Sequence, residues 1–423
     1  MGDALRSELK SSTAPRKRAY RAAVGATVSV VCLLATGCGG SEAIPVAAPE
    51  VQVDLSRLDV GNYPSKPVPL GMAKTDDEAA LVEARRIAEV MPLPIDIDPA
   101  LNFTNRFNQS RTFTDVSQYP LSRDLLMSRE DFNTFAPGFI SGYYTEGRTN
   151  FNTNLSWSLN NYTLLFTDAE AAKKAVGALG AKHQEILGVN YEGTRLARFP
   201  ESHAVWTPRA DAIYVWHSVD KFLVLTIIRD TLSDQIGSDD LPGMQARAEK
   251  VIAAIQPRLS KFTPTPRDKW GTLDRDVDGM LAITVPATND SVTNSATIPT
   301  AYQKYGALQV SLNITEDQKL FDETGVDVAA FNGGELYRTK NADSAQLFEK
   351  RRGERGRMFI VAPSPPGLPS AKCHENREKF RGTNPRYYCT ISFGRYAAEI
   401  SANQLTDAHQ RISAQYSLLA NSK

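Results

Sequence analysis

Ala212-Ile213-Tyr214-Val215-Trp216-His217-Ser218 and Lys221-Phe222-Leu223-Val224-Leu225-Thr226-Ile227-Ile228 are parted only by Val219-Asp220, and the fold turns on this stretch. Both runs are rich in β-branched and aromatic residues, which suit a pleated, half-buried surface. The short polar break between them predicts a hairpin. A helix is expected next over residues 242–255, because Ala248, Val251, Ile252 and Ile255 fall on one face. The same order recurs near the end of the chain. Residues 386–393 and 395–401 flank Gly394 as a second hairpin, and Ala408, Ile412, Tyr416 and Leu419 stripe a helix over 406–419.

Upstream of the first hairpin, residues 162–166 read as a strand. Thr167 stands three residues before Glu170, which predicts a capping box opening a helix with Ala172, Ala175, Val176 and Leu179 inward. The second half echoes this with a strand over 335–339 and a helix over 341–350 carrying Ala345 and Phe348. Each half therefore reads strand–helix, then hairpin–helix. The class is α+β: two similar domains, each an antiparallel sheet with packed helices, arising by internal duplication. The expected boundaries are 51–262 for the first domain, 263–279 for a linker and 280–423 for the second. The linker opens on Thr263-Pro264-Thr265-Pro266, which can continue neither a helix nor a central strand. A helix over 76–90 precedes the plan, with 301–310 and 316–324 as its expected helical counterparts. The stretch from Trp270 to Leu273 reads as non-helical.

The amino-terminal segment carries an address. Arg16, Lys17, Arg18 and Arg21 precede an apolar run over 22–35, and Thr36-Gly37-Cys38-Gly39-Gly40 follows. These are the parts of an export signal. The run is shorter than the ~20 residues a membrane-spanning helix needs. Leu34-Ala35-Thr36-Gly37-Cys38 resembles the bacterial lipobox, with Ala35 where leucine is usual. That resemblance implies loss of residues 1–37 and acylation, palmitate included, on Cys38. Residues 38–50 would then be a flexible tether at the outer face of the cytoplasmic membrane. Each buried methylene contributes ~0.8 kcal/mol, so two acyl chains hold where one does not.

Charge narrows the partners. Residues 1–37 hold six basic and two acidic side chains of the chain's 48 and 48, leaving 42 basic against 46 acidic. A net charge near −4 offers no footprint for nucleic acid. Two cysteines, Cys373 and Cys389, remain in the globular part. In an oxidising compartment they are expected to pair as a disulfide. Cys373-His374 lacks the spacing of a metal site.

With the lipobox, the segment Val53-Asp54-Leu55-Ser56-Arg57-Leu58-Asp59-Val60-Gly61-Asn62-Tyr63-Pro64 and Ser141-Gly142-Tyr143-Tyr144 in view, the chain resembles a known family. It is similar to uncharacterised lipoproteins of mycolic-acid-bearing actinobacteria that carry a paired domain of unknown function. That family has no assigned activity, so the resemblance implies an envelope location and a paired domain, and no catalytic residue.

Familiar chemistries find no anchor. There is no GxSxG, HExxH, P-loop or GxGxxG. Ser218-Val219-Asp220-Lys221 satisfies SxxK, but across a hairpin turn rather than at a helix start. His217, beside Trp216, reads as a sheet residue, and Trp206 and Trp216 read as core. Asp274, Asp276 and Asp278 with Gly279 form a weak candidate for a hard cation; a turn is the expected reading, because position twelve is Val285. Asp230, Asp234, Asp239 and Asp240 read as an acidic loop. Lys350-Arg351-Arg352-Gly353-Glu354-Arg355-Gly356-Arg357 reads as a solvated helix end. No cofactor is implied. The expected function is a non-catalytic binding or sensor-like module, anchored to the membrane by lipid, for an envelope lipid, glycan or protein. The alternative is an envelope hydrolase or transferase with an unfamiliar carboxylate site.

Overall fold

The computed structural model describes residues 53–104, 111–118, 121–208, 211–287, 298–378 and 384–422, which belong to one compact unit. The segment expected to be an export signal, the lipobox-like stretch and Cys38 lie outside the described residues.

The first half begins with helices α1 (Asp76–Ile87) and α2 (Pro94–Ile97), strand β1 (Thr112–Phe113), and helices α3 (Leu121–Leu125) and α4 (Arg129–Phe135). Strands β2 (Phe139–Arg148) and β3 (Trp157–Phe166) lead into α5 (Ala169–Leu187). Next come β4 (Glu192–Thr194), β5 (His203–Thr207), β6 (Ala212–Val219) and β7 (Phe222–Asp230), closed by α6 (Thr231–Ile236) and α7 (Leu241–Leu259). The second half runs β8 (Thr300–Gln303), α8 (Lys304–Leu308), α9 (Ile314–Thr324), β9 (Val328–Phe331), β10 (Glu335–Arg338) and α10 (Ala342–Gly353). It ends with β11 (Phe359–Ala362), β12 (Lys372–Asn376), β13 (Tyr387–Phe393), β14 (Tyr396–Ala402) and α11 (Leu405–Ala420).

The two halves share one topology. The first sheet is ordered β1-β2-β3-β7-β6-β5-β4 and the second β8-β9-β10-β14-β13-β12-β11, every neighbour antiparallel. Strand for strand, these are the same sheet. The quoted hairpin forms with Asp220 at its turn in the left-handed region (φ 48°), and its counterpart turns at Gly394 (φ 52°). Asp tolerates that conformation and Gly adopts it freely.

Three expectations needed revision. The cap of α5 is Asp168, one residue later than Thr167: its carboxylate accepts from Ala171 N, and Thr167 Oγ1 donates to it. Asp caps at least as well as Thr, and Asp168 is the residue in extended backbone. Residues 301–303 are strand rather than helix, because Ala301 and Tyr302 pair with β9. The topology also matches α8 and α9 to α3 and α4, the helices between the first two strands, and not to α1. Finally, Arg267–Thr272 is a 3-10 helix, which buries Trp270 with its indole N–H donating to Thr265 O.

Helices cover both faces of each sheet. In the second half, Cys373, Cys389, Ile391, Ala398 and Ile400 face α11 with Ala408, Ile412 and Leu419. Cys373 and Cys389 are directly opposed on β12 and β13 and form the expected disulfide. The other face, with Ala329, Phe331, Tyr337 and Ala397, joins Ala345 and Phe348 of α10. This face belongs to the same core as the α7 side of the first sheet, including Val224, Ile228, Val251 and Ile252. The α5 side of the first sheet closes separately over Tyr162, Leu164, Trp216 and Leu225. The halves thus meet through unlike faces. Residues 102–104 stitch them: Ile314 N donates to Asn102 O, Thr104 N to Leu312 O and Thr104 Oγ1 to Ser311 O.

Candidate functional site in the second half

A cavity of about 630 Å³ opens between α9, α10 and the sheet. That volume lies within the range of about 300–1,000 Å³ usual for small-ligand sites. Its position follows from strand register. Glu335 on β10 is directly opposite Glu399 on β14, and both share a face with Tyr337. Glu399 in turn opposes Thr390, which opposes Lys372. A polar row therefore crosses the sheet beneath α10.

Two like charges directly opposite destabilise a sheet, and here α10 supplies the compensation. Arg352 Nη1 lies 3.3 Å from Asp317 Oδ1 and its Nη2 3.7 Å from Glu335 Oε2. Arg352 Nη2 also donates to Tyr337 Oη at 2.7 Å. Just beyond the helix, Arg355 Nη2 stands 2.9 Å from Glu399 Oε1, close enough for an ion pair although out of line for a hydrogen bond. The Arg355 guanidinium also lies 4.7 Å from the centre of the Tyr388 ring. Burial works against the Arg352 charge, but Asp317, Tyr337 and Glu335 outweigh it and push its pKa well above the ordinary value.

Hydroxyls complete the set. Tyr337 Oη donates to Glu335 Oε2 at 2.7 Å, and Ser311 Oγ donates to Asp317 Oδ2. Burial, ahead of every other influence, drives the Tyr337 phenol far above its usual pKa, so it remains a donor. Val310, Leu312 and Leu320 supply apolar wall, and no histidine or cysteine is among the lining residues. Nε of Arg352 and of Arg355 have no protein acceptor.

The first half carries a related buried cluster. Asp124 of α3 accepts from Tyr162 Oη at 2.6 Å and Asn160 Nδ2 at 3.1 Å, with Arg229 at 3.5 Å. Burial raises its pKa, but Arg229 and Arg123 prevail and hold it below the usual range. His183 lies alongside, its pKa lowered by burial to about 4.

The residues singled out from sequence sit elsewhere. Asp276 Oδ1 accepts from Val277 N and Leu281 N, and its Oδ2 from Ala282 N, at 2.7–3.0 Å. Asp274 Oδ1 accepts from Asp276 N, and Asp278, in the left-handed region, pairs with Arg338. These carboxylates organise a turn, and among the described residues no group of three or more His, Cys, Asp or Glu is placed to hold a metal ion. Asp230 and Asp240 of the acidic loop cap α6 and α7. His217 is buried in β6 with Nδ1 2.9 Å from Ser202 Oγ, its pKa lowered chiefly by burial. Ser218 and Lys221 flank the hairpin turn. The basic run divides: Lys350, Arg351 and Arg357 are exposed, while Arg352 and Arg355 turn into the cavity. Part of a run read as solvated is therefore the cavity's cationic lining, because Glu335, Glu399 and Asp317 draw it inward. None of those three acids was foreseen. Glu399, a lone acid in Ala397-Ala398-Glu399-Ile400, was the available signal.

Fold and cavity together define an α+β protein built from two copies of one sheet, with this cavity in the second. The chain belongs to the family described as domain of unknown function (DUF7373), whose N-terminal part matches residues 70–275 and C-terminal part residues 280–422. The paired domain anticipated from the sequence is thereby found. No curated protein matches the chain, and no solved structure does.

Proposed function

We propose that this chain is a cell-envelope lipoprotein acting as a non-catalytic binding module, and that the cavity of its second half receives the ligand. The lipobox-like Leu34–Cys38 segment supports acylation of Cys38 and a place on the outer face of the cytoplasmic membrane, in an actinobacterial envelope. One observation carries the binding reading: every inward carboxylate of the cavity is already engaged by a guanidinium or a hydroxyl. Groups so committed recognise; they are poorly placed to give and take protons.

Two measurements test this. Intact mass of the membrane-extracted protein should show a chain beginning at Cys38 with acyl mass; any other start, or no acyl group, sinks the location. Thermal melting against saccharides, lipid headgroups and short peptides should reveal a ligand that stabilises the wild type and not Glu335→Gln. No stabilisation by any of them removes the binding role.

A second reading has one observation in its favour. Glu335 and Glu399 are direct cross-strand neighbours, so their side chains leave the same face of the sheet side by side, and glycosidic hydrolysis uses a pair of carboxyl groups. An envelope hydrolase or transferase would show turnover abolished by Glu399→Gln.

A further inference from the structure

The chemistry of the cavity narrows its ligand, on the reading that it is a binding site. Its inner charges are all paired, three carboxylates against two guanidiniums. Arg352 is shared by Asp317 and Glu335, Arg355 is held by Glu399, and at the rim Arg351 lies 3.9 Å from Glu323. A charged ligand entering here would compete with pairs already made and would pay its own desolvation cost. A neutral ligand rich in hydroxyls would not. Each hydroxyl is both donor and acceptor, so it can give to a carboxylate and take from a guanidinium without separating them. The cavity already shows this bonding internally: the phenol of Tyr337 receives from Arg352 while giving to Glu335. The Ser311 hydroxyl likewise gives to Asp317. Val310, Leu312 and Leu320 also line the cavity and supply apolar wall. A sugar ring has that same division, with hydroxyls around its edge and C–H groups on its faces.

We infer that the cavity between α9, α10 and the β10–β14 floor binds an uncharged oligosaccharide segment. Glu335 and Glu399 accept from ring hydroxyls, Arg352 and Arg355 donate to them, and Leu320 packs on a ring face. An acyl chain fits poorly as occupant, because it offers no acceptor to the Nε groups of Arg352 and Arg355, which have none from the protein.

The test is calorimetric titration of the full mature chain. Maltotriose, cellotriose and N,N′-diacetylchitobiose serve as uncharged probes, against glucose 6-phosphate, glucuronate and glucosamine. Expected is saturable binding of at least one uncharged probe. Its affinity should change less than about two-fold when salt rises from about 0.02 to about 0.5 M, because screening acts on charges. Glu335→Gln and Arg352→Met should each weaken it ten-fold or more. Leu320→Trp, which fills the cavity from a half-buried wall and leaves the ion pairs intact, should block it with the melting midpoint retained. That variant decides the matter if Arg352→Met does not fold. Binding of charged probes alone, sensitive to Glu335→Gln, overturns the sugar assignment and leaves the binding role standing. No bound uncharged probe, or binding indifferent to Leu320→Trp, overturns it as well. Turnover of any probe that disappears in Glu399→Gln would overturn the non-catalytic reading too.

Discussion

Single carboxylates in this protein do two distinct jobs, and their surroundings tell them apart. Asp276 is buried and spends both oxygens on the backbone N–H groups of Val277, Leu281 and Ala282. Removing such an acceptor strands buried donors, each at about 1–3 kcal/mol. Asp276→Ala should therefore destabilise the chain by about 3 kcal/mol, read as the shift in denaturant midpoint; a loss under about 1 kcal/mol would show the turn to be held by other means. The acids of the cavity behave differently. Glu335 and Glu399 repel across adjacent strands and are tolerated because α10 and the residues after it bring two arginines over them. Arrangements that cost stability in isolation and are compensated elsewhere are where a fold reserves room for a ligand.

Elements were the most legible level in the sequence. Both hairpins, α5, α7, α10 and α11 follow from apolar periodicity and turn residues, because each is long enough for its pattern to outweigh local ambiguity. Short elements escaped. β8 spans Thr300–Gln303 and exists only because β9 lies beside it, information that no window of sequence contains. The cavity escaped for the same reason: Asp317, Glu335, Arg352 and Glu399 are far apart in sequence and meet only through register. Cysteine pairing was legible from the expectation of an oxidising compartment. It closes a loop of about 15 residues on neighbouring strands, and closure at this length contributes about 3 kcal/mol in the chain-entropy account. The Cys373→Ala/Cys389→Ala double variant should lose that amount in a denaturant titration. An unchanged midpoint would count against it.

At the scale of the whole molecule, the halves are one plan used twice but joined by unlike faces. Tyr302, Phe331 and Phe348 of the second half share a core with Val224, Ile228 and Ile252 of the first. Each large apolar side chain there contributes about 1.5–3 kcal/mol by burial. Residues 280–422 expressed alone should therefore aggregate or bind a hydrophobic dye, and co-expression with residues 53–279 should restore a soluble complex; a well-folded, monomeric isolated half would refute this. Glu89 adds a pH-sensitive stitch between the halves. Its carboxylate accepts from Gln303 N and Gly306 N at 3.0 Å, at the start of α8. Burial raises its pKa to about 7, against the opposing pull of those N–H groups and of Arg85. A folded pKa above the unfolded value near 4.5 gives a contribution that is full below about 4.5 and lost as pH rises through about 7. The melting midpoint should fall between about pH 5 and pH 8, and Glu89→Gln should flatten that fall. Parallel profiles for the two proteins would exclude Glu89 as the source.

The disulfide has a practical corollary. Arg377, Lys379, Arg381 and Arg386 all lie between Cys373 and Cys389. A trypsin-like protease that cuts once after any of them breaks the backbone yet releases nothing. The nicked product would travel as a single species on a gel without thiol and split into two bands once reductant is added.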